Sequence, residues 1–111
     1  MKILKFYESL TNDLEIGDYV LIKIDISKYT QKQIDTENFI NNTIGKIYNI
    51  DNSHVNTDIY VLYENIPESI KSYFKNMNGV YIRSFDIDRI VEHGKTIEEL
   101  KMKLETNKFN I

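Results

Sequence analysis

At 111 residues, 41% hydrophobic and 28% charged, the chain has the length and composition of one globular domain with a single core. The absence of cysteine excludes disulfides and thiolate metal sites, and no apolar run reaches the roughly 18 residues of a membrane-spanning helix. A formal net charge of -3 gives no global attraction to phosphate, so nucleic-acid binding would need a local basic patch.

The opening "MKILKFYESL" interrupts its apolar positions with Lys2, Lys5 and Glu8, unlike a signal peptide. Residues 1–14 read as a leader whose Ile3, Leu4 and Phe6 anchor a first strand or helix to the core. In "EIGDYVLIKIDI" (15–26), Gly17 and Asp18 supply turn chemistry. Val20, Ile22, Ile24 and Ile26 then alternate with other residues at the period of a half-buried strand. The pattern dissolves after Ile26, and 27–43 reads as a long functional loop carrying Tyr29, Ile34, Phe39 and Ile40. "IGKIYNI" (44–50) predicts a second strand, in which a bulge or sharp bend at Gly45 turns both Ile47 and Ile50 inward.

"DNSHVNTD" reads as a hairpin loop leading to a third strand at 59–65, with Ile59, Val61 and Tyr63 on one face. Pro67 opens a predicted short helix over about 67–77, because Ile70, Tyr73, Phe74 and Met77 fall at helical spacing before "NMNG". "VYIR" is a fourth strand, "SFDID" a tight turn, and "RIVEH" a fifth strand. "TIEE" (96–99) is a capping box: the Thr96 hydroxyl accepts the Glu99 amide and Glu99 reaches back to the Thr96 amide. A helix over about 96–106 follows, with Ile97, Leu100 and Leu104 as its apolar stripe.

The rhythm "GDYVLIKID … IGKIYNI … IYVLYENI", with the "SFDID" turn between the last two strands, resembles the SH3-like small β-barrels, including their KOW-type members. The resemblance covers roughly residues 15–92. It implies a mainly β fold: a five-stranded barrel, an inserted helix (67–77) and a helical appendage at 93–111. The chain departs from proline-binding SH3 domains in having no tryptophan and no recognisable ligand groove, so the barrel leaves the ligand open. The leader is similar to short basic and aromatic segments of tailed-phage proteins. The bias toward Ile, Lys, Asn and Tyr fits AT-rich coding sequence, so a phage or mobile element is the expected origin and the host cytoplasm or the virion the expected location.

Chemistry finds little purchase. His54 and His93 lack paired ligand spacing. Asp51 and Asp58 frame a loop that lacks the glycine and closing glutamate of a calcium site, and Asp86, Asp88 and Glu92 read as turn formers. No phosphate-cradling, dinucleotide, nucleophile-elbow or zinc-protease motif occurs. The expectation is a non-enzymatic chain without metal or cofactor. Tyr19, Lys23, Lys46, Tyr48, Tyr60, Tyr81 and Arg83 are expected on outward faces, with the tyrosine and arginine composition of interaction hot spots. The reading is a protein-interaction module whose partner, a phage or host protein, meets Tyr29, Phe39, Tyr81 and Arg83; no membrane partner is expected. The alternatives are a nucleic-acid-binding KOW-type barrel using Lys23, Lys46, Tyr48 and Arg83, and a minor virion component.

Overall fold

Among the described residues six antiparallel strands pair into one sheet, and two α-helices flank it. The structure, a computed structural model, describes residues 14–26, 30–53 and 55–109. Residues 1–13 of the leader, Tyr29 and His54 therefore lie outside the described residues, while Leu14 is buried in the core. The strands are β1 (Tyr19–Ile22), β2 (Gly45–Asp51), β3 (Asp58–Tyr63), β4 (Lys75–Met77), β5 (Val80–Asp86) and β6 (Ile90–Gly94), paired in the order β4-β5-β3-β2-β1-β6. The helices are α1 (Gln31–Asn41) and α2 (Ile97–Phe109), and 3-10 turns occupy Glu68–Tyr73 and Ile87–Arg89. No helix among the described residues is long and apolar enough to cross a membrane.

The mainly β expectation holds, but the hydrogen-bonded sheet is open, with β4 and β6 at its margins, and has six strands where five were expected. The additional strand is β4. Asn78 and Gly79 both adopt positive φ (55° and 92°), the backbone of a two-residue hairpin turn, so β4 folds back on β5 with Met77 opposite Val80. The predicted helix over 67–77 is accordingly reduced to the 3-10 turn Glu68–Tyr73, which still buries Ile70. Strand β5 runs through the expected "SFDID" turn as far as Asp86, and only Ile87–Arg89 coils.

Strand β1 is shorter than its alternation suggests. Past Ile22 the Lys23 amide still donates to the Arg89 carbonyl at 3.0 Å, and a side chain then takes over: Asn41 at the end of α1 accepts the Ile24 amide at 2.7 Å and donates to the Ile24 carbonyl at 2.9 Å. Ile24 thus stays packed on the core while Ile26 is exposed. The span expected to be a loop contains α1, whose N-cap Thr30 accepts the Gln33 amide at 3.1 Å. Helix α1 buries Thr36 and Ile40 and packs on β1 and the Glu68–Tyr73 turn.

The core lies between this helical layer and one sheet face: Val20, Ile22, Ile47, Ile59, Val61 and Tyr63, closed by Ile40, Ile70 and Phe74. Burial of each such aliphatic side chain contributes about 1.5–3 kcal/mol, the largest favourable contribution to the fold. Ile47 and Ile50 both turn toward the core as expected, through a bulge that falls between Ile47 and Asn49 rather than at Gly45. Gly45 has another role: a Cβ there would lie 2.3 Å from Val61 Cγ1 and 3.0 Å from Tyr63 Cε1.

Two polar devices fasten the β1–β6 end. Gly17 (φ 99°) lets the chain turn so that the Asp18 carboxylate accepts the Glu15 amide at 3.0 Å. Lys95 Nζ then meets the buried Asp18 at 3.0 Å and Glu15 at 3.4 Å, tying the start of β1 to the β6–α2 junction. The capping box forms in altered register: Thr96 Oγ1 accepts the Glu99 amide at 3.0 Å, while Glu99 Oε2 accepts the Lys95 amide at 3.1 Å, one residue upstream of the expected Thr96 amide. On the free side of β6, the His93 amide donates to Glu92 Oε1 (3.0 Å), and its carbonyl accepts Lys103 Nζ (2.9 Å).

Candidate functional site

Strand alternation gives the sheet a second face, away from the core, and the register arranges it in rows. Lys46, Leu62, Ile82 and Lys75 lie opposite one another across β2, β3, β5 and β4. In the next row the β2 bulge sets Tyr48 and Asn49 beside Tyr60, which faces Ser84. The third row is Asp51, Asp58 and Asp86. Tyr48, Tyr60, Lys75, Met77 and Ile82 line a depression of about 260 Å³ here. Ile82 forms its floor: it is only 4% exposed yet stands outside the main core cluster, whereas Tyr48 remains 42% exposed. The arrangement offers an apolar floor, phenol walls and charges of opposite sign at the two ends, which is recognition chemistry.

The residues expected to meet a protein partner occupy the other side. Tyr81 is paired with Tyr63 and Arg83 with Val61, so both face the core side of β5, half-buried, contrary to the outward placement expected. Arg83 sits over the Phe74 ring (6.0 Å to its centroid) and donates to the Tyr73 carbonyl at 3.3 Å. Phe39 makes edge contacts with Tyr63 (5.9 Å) and Phe74 (6.1 Å). Lys71, ion-paired with Glu68 at 2.8 Å, lies 5.3 Å from the centre of the Tyr81 ring. Its ammonium is held above the usual lysine range chiefly by the Glu68 hydrogen bond. Phe39, Tyr81 and Arg83 are thus brought together around Phe74 and Tyr63 as packing, while Tyr29 lies outside the described residues.

The alternative basic set divides. Lys46 and Tyr48 share the outer face, with Lys46 Nζ 5.7 Å from the Tyr19 ring centre, and Lys23 is exposed past the end of β1. Arg83 is on the opposite face. Reading the sequence passed over Met77, Lys75 and Ile82 as site residues; the Asn78–Gly79 pair was the signal that folds β4 against β5 and brings them in.

Among the described residues no group of three or more His, Asp or Glu side chains is arranged to hold a metal ion. Two exposed groups are shifted by their structural bonds: the Lys95 ammonium is held above its usual range first by the Asp18 hydrogen bond, and Glu99 below the usual carboxylate range first by the Lys95 amide. Comparison with protein-family models, curated proteins and solved structures finds no match.

Proposed function

We propose that this chain is a non-catalytic protein-interaction module that receives its partner on the outer face of the sheet, at the Tyr48–Tyr60 depression. The observation that carries the reading is one depression lined by the exposed Tyr48, by Tyr60 and Met77, and by the buried Ile82. Aromatic anchors around a desolvated floor are where interface energy concentrates. This reading moves the partner surface away from Phe39, Tyr81 and Arg83, whose rings and guanidinium are spent on internal packing.

An SH3-like barrel with an inserted β4 hairpin belongs to the same proposal. Its support is the succession β1-β2-β3-β5 of neighbouring strands, the 3-10 turn Ile87–Arg89 and the return of β6 beside β1. A tailed-phage origin rests on the composition and the leader; proteomics of purified particles tests the virion variant.

The experiment is affinity capture from lysate with the full chain, at low and high salt, with Tyr48→Ala and Tyr60→Ser as probes. Capture that survives high salt and weakens at least about thirtyfold in these variants is the expected result, the scale of a hot-spot loss. Capture indifferent to both variants refutes the reading. Binding of nucleic acid that falls steeply with salt returns the KOW-type alternative.

A further inference from the structure

We propose that Asn78 is a site of spontaneous covalent modification: the Gly79 nitrogen attacks the Asn78 side-chain amide, ammonia leaves, and the isoaspartyl link that results unfastens β4, with Asn76 holding the reaction in check. The inference stands apart from the docking reading above, because it concerns the backbone of the hairpin itself.

The sequence contains one asparagine followed by glycine, Asn78–Gly79. Every other asparagine precedes a residue whose side chain crowds the approach of the following nitrogen to the carboxamide, whereas glycine leaves that approach open. Asn78 and Gly79 are both exposed, at φ 55° and 92°, so water reaches the reacting groups. The restraint is close by. The Gly79 amide donates to Asn76 Oδ1 at 3.0 Å. A nitrogen whose proton and position are held in this way is not free to ionise and swing onto the Asn78 Cγ, so the turn must first give the bond up. One such hydrogen bond corresponds to about three- to tenfold in rate.

The Gly79 N–H gives its proton to solvent base, and the nitrogen bonds to Asn78 Cγ. The Cγ–Nδ2 bond breaks as the departing nitrogen takes up a proton and leaves as ammonia, and a five-membered cyclic imide remains. Water then opens one of its two carbonyls. Opening at Cγ gives an ordinary aspartate. Opening at the main-chain carbonyl routes the chain through Cβ and Cγ, an isoaspartyl residue with one additional backbone carbon.

The two products differ in consequence. Asp–Gly suits the same two-residue turn, so the aspartyl form keeps the hairpin. The additional carbon does not, because turn length sets the register that places Met77 opposite Val80 and Lys75 opposite Ile82. Among the described residues β5 is the one strand that pairs with the three-residue β4, so those pairs slip or part. Lys75 and Met77 are then withdrawn from the wall of the depression, and the buried Ile82 is uncovered.

The test is peptide mapping by mass spectrometry of the full chain kept folded in mildly alkaline buffer, with ammonia release and enzymatic isoaspartyl methylation as independent readouts. Asn52, equally exposed and followed by Ser53, is the reference within the same chain. Conversion at Asn78 is expected to run ahead of Asn52 and to quicken as pH rises. Asn76→Ala speeds it about three- to tenfold, whereas Asn76→Asp, which keeps an acceptor for the Gly79 amide, does not; thermal melts verify that both variants are folded. Amide NMR of the isoaspartyl form, separated by anion exchange, shows the resonances of 75–77 and 80–82 displaced, while Asn78→Asp leaves them near their natural positions. Conversion at Asn78 no faster than at Asn52, an equal response to the two Asn76 variants, or an isoaspartyl form with its β4 pairing intact overturns the proposal.

Discussion

Replacing Tyr63 by Phe should make the protein more stable, which is unusual for a core position. Tyr63 is 2% exposed, and its hydroxyl has no hydrogen-bond partner among the described residues. Its ring is held by edge contacts with Phe39, Phe74 (5.7 Å) and Phe85 (6.5 Å), all of which a phenylalanine keeps. A buried polar group left unpaired costs about 1–3 kcal/mol. The void left by one oxygen costs only about 0.3 kcal/mol at the usual cavity coefficient. The net gain is about 1–2 kcal/mol, or roughly 5–10 °C in Tm for a domain of this size.

The alkaline limb supplies a second readout. Burial pushes the Tyr63 phenol above its usual value of 10.0, the Arg83 charge opposing in part. The folded chain therefore keeps a proton that the unfolded chain releases, so this contribution to stability is whole below pH 10 and falls as pH rises above it. Thermal melts of both proteins at neutral pH and above pH 10 should show the variant more stable throughout and less sensitive to base. A variant that melts lower at neutral pH refutes the reasoning, because the hydroxyl would then be making a bond worth more than its burial costs.

Gly45→Ala should destabilise by at least about 1–3 kcal/mol, the scale of core overpacking, since its Cβ collides with Val61 and Tyr63; chemical denaturation measures the loss. Asp58→Asn relieves two cross-strand like-charge pairs and should raise stability by roughly 0.2–1 kcal/mol for each, a gain that shrinks with added salt in calorimetry. Thr96→Ala removes the cap of α2 and should cost about 1 kcal/mol in a denaturant titration. Glu99 titrates below its usual value of 4.5, so its contribution is present above that pH and is lost as pH falls through its folded value; Glu99→Gln should flatten the acid limb of the melting profile.

Where one feature dominated a segment, the sequence was legible: alternation located parts of β1, β2, β3 and β5, and "TIEE" located α2. Elsewhere two signals competed. Ile70, Tyr73, Phe74 and Met77 fit helical spacing, but Asn78–Gly79 demands a hairpin, and the hairpin's strand claims 75–77. Thr30 and Gln33 form a capping pair that starts α1, obscured because the helix that follows exposes so much polar surface. For the candidate site the difficulty was choosing between faces. On β5, alternation separates Ile82 from Tyr81 and Arg83 without saying which set faces inward. Ile82 is buried on the outer side, while Arg83 sets its guanidinium over Phe74 and donates to the Tyr73 carbonyl, a placement available to a long amphipathic side chain.

The fastening of His93 by Glu92 and Lys103 bears on how any visitor must approach. Templated growth, whether by a foreign strand or by another copy, needs a run of vacant backbone donors and acceptors along a rim. On β6 that run is interrupted by side chains of the protein itself, and at the other rim β4 offers only three residues. On the proposed reading a partner is thereby turned from the β6 rim toward the broad flank of the sheet, and the same interruption guards that rim against fibrous stacking when many copies crowd together.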